Sequence, residues 1–200
     1  MLHYLEVTNR KIEKNYEKIN RWYWSAVFSN RYDQAADSKA WTDLELIKKW
    51  TIGDTNIPDF ILKFDPNTTE LDTEKQSSAI YRGIMNLVVL AGALDFKTGQ
   101  PPQFDKLKIQ DDHIFPKSIY DYHMVSNRTL IATNSEKGNA KPSVYFSQKL
   151  KEHGKTKILS ILRTHLIDDT SLNYLLNDNL DKFVETRKNA IVDEIKNKTL

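Results

Sequence analysis

Apolar residues return at helical spacing over most of this chain and alternate at strand spacing over only two short stretches. Ile12, Tyr16, Ile19, Tyr23 and Val27 recur every three or four residues with charges between them, which predicts a long helix, or two, over Leu2–Phe28. Trp41, Leu44 and Ile47 predict a second helix, with Ser38 as candidate cap and an end near Gly53. Residues 56–72 carry two prolines and four acids and read as a loop or short extended piece. A third helix, from about Glu74 to Leu94, is apolar nearly all round in its second half and is the expected central buried helix.

The breaker cluster Thr98-Gly99-Gln100-Pro101-Pro102 then interrupts the helical pattern. Beyond it, Lys106–Phe115 alternates Leu107 and Ile109 with polar neighbours, and Asn127–Thr133 carries Thr129, Leu130 and Ile131, so both predict strands. Asn134–Gly138 reads as a short helix or turn. Pro142 opens a helix, where its missing N–H costs little, and Gly154 closes it. Two further helices are expected over Lys155–Leu166 and Ser171–Lys198, the last presenting Leu180, Phe183, Val184, Arg187, Ile191 and Ile195 on one face. The expected class is mainly α (α+β), in three parts: a helical domain over 1–103, a strand-strand-helix unit over 104–154, and C-terminal helices over 155–200 that pack on the rest.

Composition narrows the picture at three points. There is no cysteine in the 200 residues, which excludes a disulfide framework and any thiolate metal site. The N-terminal region is filled by Arg10, Lys11, Glu13, Lys14, Glu17 and Lys18, and the most apolar run, Leu87–Leu94, is far too short to span a bilayer. The expectation is a soluble, cytoplasmic protein without a membrane partner. Net charge is only +2, but its distribution is uneven: Asp33–Glu74 holds ten acids against four lysines, and Lys137–Lys157 holds six lysines against one acid. The basic run contains Lys137, Lys141, Lys149, Lys151 and Lys155, which are candidate contacts to a phosphate backbone as well as to solvent. Trp22, Trp24, Trp41 and Trp50 fall at helical spacing, so a core role is expected ahead of stacking on bases.

The candidate chemistry lies in Asp112-His113-Ile114-Phe115-Pro116, followed by Asn127 and Asn134. Phosphodiester hydrolysis needs a deprotonated water and charge stabilisation at the phosphate and leaving oxygen. His113 is the natural base, with an ordinary imidazole value that makes activity rise through the neutral range. A carboxylate with an amide oxygen suits a hard cation, Mg²⁺ or Mn²⁺, ahead of zinc. Strand alternation places Asp111, not Asp112, on the face of His113. His123 reads as a loop residue or a neighbouring substrate contact, and His3, His153 and His165 as structural or solvent-facing.

These residues, with Ser126-Asn127-Arg128-Thr129-Leu130-Ile131, Asn134-Ser135-Glu136-Lys137 and Pro142-Ser143, resemble an HNH nuclease of the ββα-metal (His-Me finger) class. The similarity is greatest to the HNH domain of GmrSD-type restriction and antiphage defence proteins. It covers roughly Ile109–Phe146, and the lead-in from Trp22 to Tyr32 and from Ser78 to Gly99 also looks like the region before that motif. The resemblance implies a DNA endonuclease in which His113 is the general base, Asp112 and Asn134 hold the metal, Asn127 braces the hairpin, and Lys137 meets a phosphate or forms an ion pair. It also favours Asp112 over Asp111. Such proteins commonly carry a ParB-like nucleotide-hydrolysing module, whose motif is not found here, so that module is an expected partner outside these residues. The competing expectation is an inactive DNA-binding or protein-interaction module with an HNH-like fold.

Overall fold

The computed structural model describes residues 5–6, 8–9, 13–53, 56–102, 109–132 and 137–200. The chain is mainly helical, with a small two-stranded antiparallel sheet. Its elements are α1 (Glu13–Phe28), α2 (Ala36–Ile52), α3 (Asp59–Leu62), α4 (Ala79–Leu90), β1 (Ile109–His113), α5 (Lys117–Tyr120), β2 (Arg128–Ala132), α6 (Pro142–His153), α7 (Lys155–Arg163), α8 (Ser171–Leu176) and α9 (Leu180–Thr199). Short 3-10 turns lie at Pro66–Thr68 and Val125–Asn127. Among the described residues, no helix is long and apolar enough to cross a membrane.

The residues divide into two compact units, Met1–Glu70 with Val192–Leu200, and Leu71–Ile191. This differs from the three-part division read from the sequence. The breaker cluster near residue 100 is no boundary, because α4 before it packs against β2 after it.

In the first unit, Ile19, Ile47, Trp50 and Ile61 meet Leu5 in a small apolar cluster. Beneath it, buried Asp43 accepts from Arg31 Nε (2.5 Å), Arg31 Nη2 (2.6 Å) and the Tyr32 hydroxyl (2.8 Å). A carboxylate this deep requires such partners. Ser38 is not the cap of α2: the helix starts earlier, after Ala35 in a left-handed conformation, and the Ser38 carbonyl accepts from Thr42. Trp24 and Trp50 are buried as expected, whereas Trp41 is 68% exposed on the outer face of α2.

The second unit carries the hairpin. Ser78 caps α4 by accepting from the Tyr81 N–H, so the helix is shorter than its apolar pattern, and Val89 and Leu90 are exposed at its end. Behind β1 and β2, Phe115, Ile131, Phe146, Ile158, Leu162, Leu175 and Phe183 belong to one core cluster. The helix expected over Ser171–Lys198 is broken between Leu176 and Leu180. Asp178, with φ of 53°, accepts there from the Ser143 N–H (2.8 Å) and hydroxyl (2.7 Å), capping the first turn of α6.

His165 ties the unit together. It is wholly buried, its Nε2–H donates to the Leu94 carbonyl (2.7 Å), and Nδ1 accepts from the Thr129 hydroxyl of β2 (2.7 Å). Burial pushes its pKa from the ordinary 6.5 down to about 4. The unfolded chain therefore takes up this proton before the native protein does, so stability is complete above about pH 6.5 and falls as the pH drops towards 4. Urea unfolding at about pH 7.5 and 5 is expected to differ by about 2 kcal/mol from this histidine alone. In His165→Gln that part of the pH dependence should vanish, and an unchanged slope would show that His165 does not carry it.

Candidate functional site

β1 and β2 pair so that His113 faces Arg128, Asp112 faces Thr129 and Asp111 faces Leu130. After His113 the chain leaves the strand, and the segment is fixed by Asn127. The Ile114 N–H donates to the Asn127 carbonyl (2.8 Å). The Asn127 side chain accepts from the Phe115 N–H (2.8 Å) and donates to the Phe115 carbonyl (3.0 Å) and the Tyr122 carbonyl (2.8 Å). A carboxamide is the side chain able to serve a donor and acceptors from one planar group. Its burial leaves no water to replace those bonds.

His113 lies at the strand end, 8% exposed. Arg128 Nη1 stands 2.8 Å from its Nε2 and 3.1 Å from its Nδ1, and His123 Nδ1 stands 3.2 Å from the same Nε2. Burial first, then the Arg128 charge and His123, push the His113 pKa from 6.5 down to about 4, against the opposing pull of Asp112 and Asp111. The sequence expectation of a base titrating in the neutral range is thus displaced: this imidazole is already neutral there, with Arg128 and His123 against its nitrogens.

The two neighbouring aspartates have different surroundings. Asp111 accepts from Arg128 Nε (2.8 Å), from Gln76 Nε2 (3.3 Å) and from the Tyr81 hydroxyl. Both its oxygens are taken by protein groups, and their work is to hold Arg128 against His113. Asp112 is 31% exposed at its side chain, with Lys137 Nζ at 3.4 Å. Lys137 is 3% exposed, its ammonium makes no close hydrogen bond among the described residues, and burial lowers its pKa while Asp112 opposes that shift. Oxygen donors of this kind fit a hard divalent cation, and Asp112 is the carboxylate with coordination to spare. Asn134, the other expected ligand, lies outside the described residues. Among the described residues, no three acidic or histidine side chains gather as a metal site.

Of the expected phosphate contacts, Lys141, Lys151 and Lys155 are exposed. Lys149 is not available in the same way: it is buried, bonded to Glu152 Oε2 at 2.6 Å and packed over the Tyr145 ring. Lys137 faces Asp112 instead of solvent. The groups that sequence reasoning missed are Arg128, Tyr81 and the close approach of His123. Arg128 was not placed by the expected strands: pairing them from their near ends, Phe115 with Asn127, sets Thr129 opposite His113, one residue out of the observed register. Tyr81 gave no local signal.

No family model matches this chain, and no solved structure matches it. It is similar to an uncharacterized protein of Methanocaldococcus jannaschii, 26% identical over an alignment 214 residues long, gaps included, which takes in 90% of this chain. The chain spans 37% of that relative's length.

Replacing Asn127 by alanine orphans the Phe115 N–H and two carbonyls within the loop. Asn127→Ala is expected to lower stability by about 2–4 kcal/mol, as for several buried bonds lost together. Urea unfolding checks this, and a loss below about 0.5 kcal/mol would show that Asn127 is not the clamp.

Proposed function

We propose that the chain is a metal-dependent endonuclease of HNH (ββα-metal) type that hydrolyses phosphodiester bonds of DNA. The observation that carries this reading is a neutral imidazole, His113, at the end of a β-hairpin, next in sequence to a partly exposed aspartate and clamped by Asn127. The order β1, β2, α6 supplies the strand-strand-helix frame of that class. His113 takes the proton of the attacking water. Arg128 is a fixed positive charge beside it, suited to a phosphate oxygen. Asp112 and Asn134 would hold Mg²⁺ or Mn²⁺, which supplies charge stabilisation at the phosphate and the leaving oxygen. Lys141, Lys151 and Lys155 contact the backbone, which gives affinity without sequence preference. The wider role is the cleavage module of a cytoplasmic restriction or antiphage defence protein. Nucleotide hydrolysis in such a system, by a ParB-like module, would reside outside these residues.

A second reading, an inactive DNA-binding or protein-interaction module, is favoured by one observation. The protein's own cations occupy both key groups, Arg128 at the His113 ring nitrogens and Lys137 at Asp112.

Nicking of supercoiled plasmid separates the two. The purified chain is expected to nick with Mg²⁺ or Mn²⁺ and to stop in EDTA. His113→Ala should lower the rate about 10²–10⁴-fold, the usual contribution of a general base, with DNA affinity and melting nearly unchanged. Full activity in His113→Ala, or cleavage indifferent to EDTA, contradicts the nuclease reading. DNA binding without nicking in either metal supports the second.

A further inference from the structure

The first unit holds a cavity that the nuclease reading does not use. It measures about 570 Å³, and every described residue lining it lies in 1–70 or 192–200, the two stretches of that unit. Its walls come from α1, from the end of α2 with Ile57 beyond it, and from the end of α9. A space of this size suits an organic ligand of nucleotide dimensions and far exceeds what a bare inorganic anion needs.

Cations gather on it for a reason visible in the sequence. Lys14, Lys18 and Arg21 stand at i, i+4 and i+7 of α1, so one face of that helix brings all three into the lining. Lys198 adds a fourth from α9, and Glu17 is the one acid in the described lining. The four are not equivalent. Lys18 is committed to the protein: its ammonium donates to the Trp50 carbonyl (2.5 Å) and stands 5.4 Å from the centre of the Trp50 ring. Lys198 shares its charge with Glu194 at 3.2 Å. Arg21 differs. Its Nε is buried with no hydrogen-bond partner among the described residues, and no acid among them pairs with its guanidinium. Lys14 is exposed and equally without an acid partner among them. A buried N–H of a charged group left unbonded costs free energy that an acceptor in the cavity recovers.

Phosphate suits these groups better than carboxylate. It offers three oxygens and close to two charges, enough for Arg21 and a lysine together, whereas the arginine fork alone satisfies a carboxylate. The remaining lining is milder: Ile57 and the buried indole of Trp50 give apolar surface, and Asn20 supplies an amide that both donates and accepts. We propose that this cavity is a binding site for an organic phosphate monoester of nucleotide size, with Arg21 and Lys14 on the phosphate and Ile57 and Trp50 beside its organic body. A free nucleotide and the 5′-phosphorylated end of a nucleic-acid strand both carry that chemistry. Binding here does not rest on the nuclease reading, and no bond is made or broken.

The whole chain is titrated by calorimetry with AMP, adenosine, inorganic phosphate and hexaglutamate, without divalent metal so that no cleavage intervenes. Arginine side-chain ¹H–¹⁵N spectra are recorded in parallel, with the Arg21 Nε–H signal assigned by its loss in Arg21→Gln. AMP is expected to bind and shift that signal, with the other three probes each at least about tenfold weaker. Arg21→Gln should weaken AMP about 10–100-fold. Lys14→Gln, at an exposed position that burdens no core, should weaken it about threefold. Lys182→Gln, which removes the same charge from the exposed start of α9, should leave it unchanged. If Arg21→Gln fails to fold, Lys14→Gln and the wild-type Arg21 signal still decide. A 5′-phosphorylated oligonucleotide set against its 5′-hydroxyl twin separates the sources: a preference for the phosphorylated strand assigns a strand end, and equal binding of the two assigns the free nucleotide. No binding of AMP, an unmoved Arg21 signal, inorganic phosphate or hexaglutamate binding as well as AMP, or equal losses in Lys14→Gln and Lys182→Gln each overturn the proposal.

Discussion

The buried carboxamide of Asn127 is the interaction on which the hairpin's functional end depends. Strand pairing alone brings His113 opposite Arg128, but pairing ends there, and the next residues have no ladder to satisfy their backbone groups. Asn127 takes over by bonding to Phe115 and Tyr122 from one side chain, while its own carbonyl receives the Ile114 N–H. Unmet polar groups at this depth cost far more than a made bond gains, so the loop has one acceptable path. That path brings His123 to His113.

Charge is then divided between the faces of the hairpin. On the His113 face, Asp111 is spent on Arg128 and Tyr81, and this triad holds a guanidinium against the imidazole. Beside it, Asp112 meets the buried ammonium of Lys137 at 3.4 Å. The adjacent acids thus differ in availability because their cross-strand and long-range neighbours differ, not because the residues do. Beneath both, Arg187 is wholly buried and donates to the Ser126 carbonyl (3.0 Å) and the His165 carbonyl (3.3 Å), linking the C-terminal helix to the turn that precedes β2. Burial lowers its pKa to about 9, which reflects the cost of keeping that charge inside.

The local elements were legible in the sequence where local chemistry sets them. Proline at the start and glycine at the end defined α6, and the apolar alternation around Thr129 and Ile131 defined β2. Long-range partners were not legible. Nothing near Asp178 announces that its carboxylate caps a helix 35 residues away, so the break before α9 could not be seen. Tyr81 and Asp111 are 30 residues apart, and their bond is what removes Asp111 from competition with Asp112. Strand alternation correctly grouped Asp111 with His113, yet sharing a face did not make that carboxylate available. Helical spacing likewise gave Trp41 an inward face that α2 does not use. Lys149 looked like its neighbours in a basic run and differs only because Tyr145 and Glu152 draw it in.

The central claim is that the end of this hairpin is a cation-dependent site built on Asp112. Paramagnetic broadening by Mn²⁺ tests it most directly, because it reports where the ion sits without requiring turnover. Titrating low Mn²⁺ into the ¹⁵N-labelled chain should first erase the amide signals of residues 111–114 and of Asn134, and Asp112→Ala should remove that selectivity. Broadening spread instead over the acidic stretch Asp33–Glu74, or unchanged in Asp112→Ala, would contradict a metal site at the hairpin end.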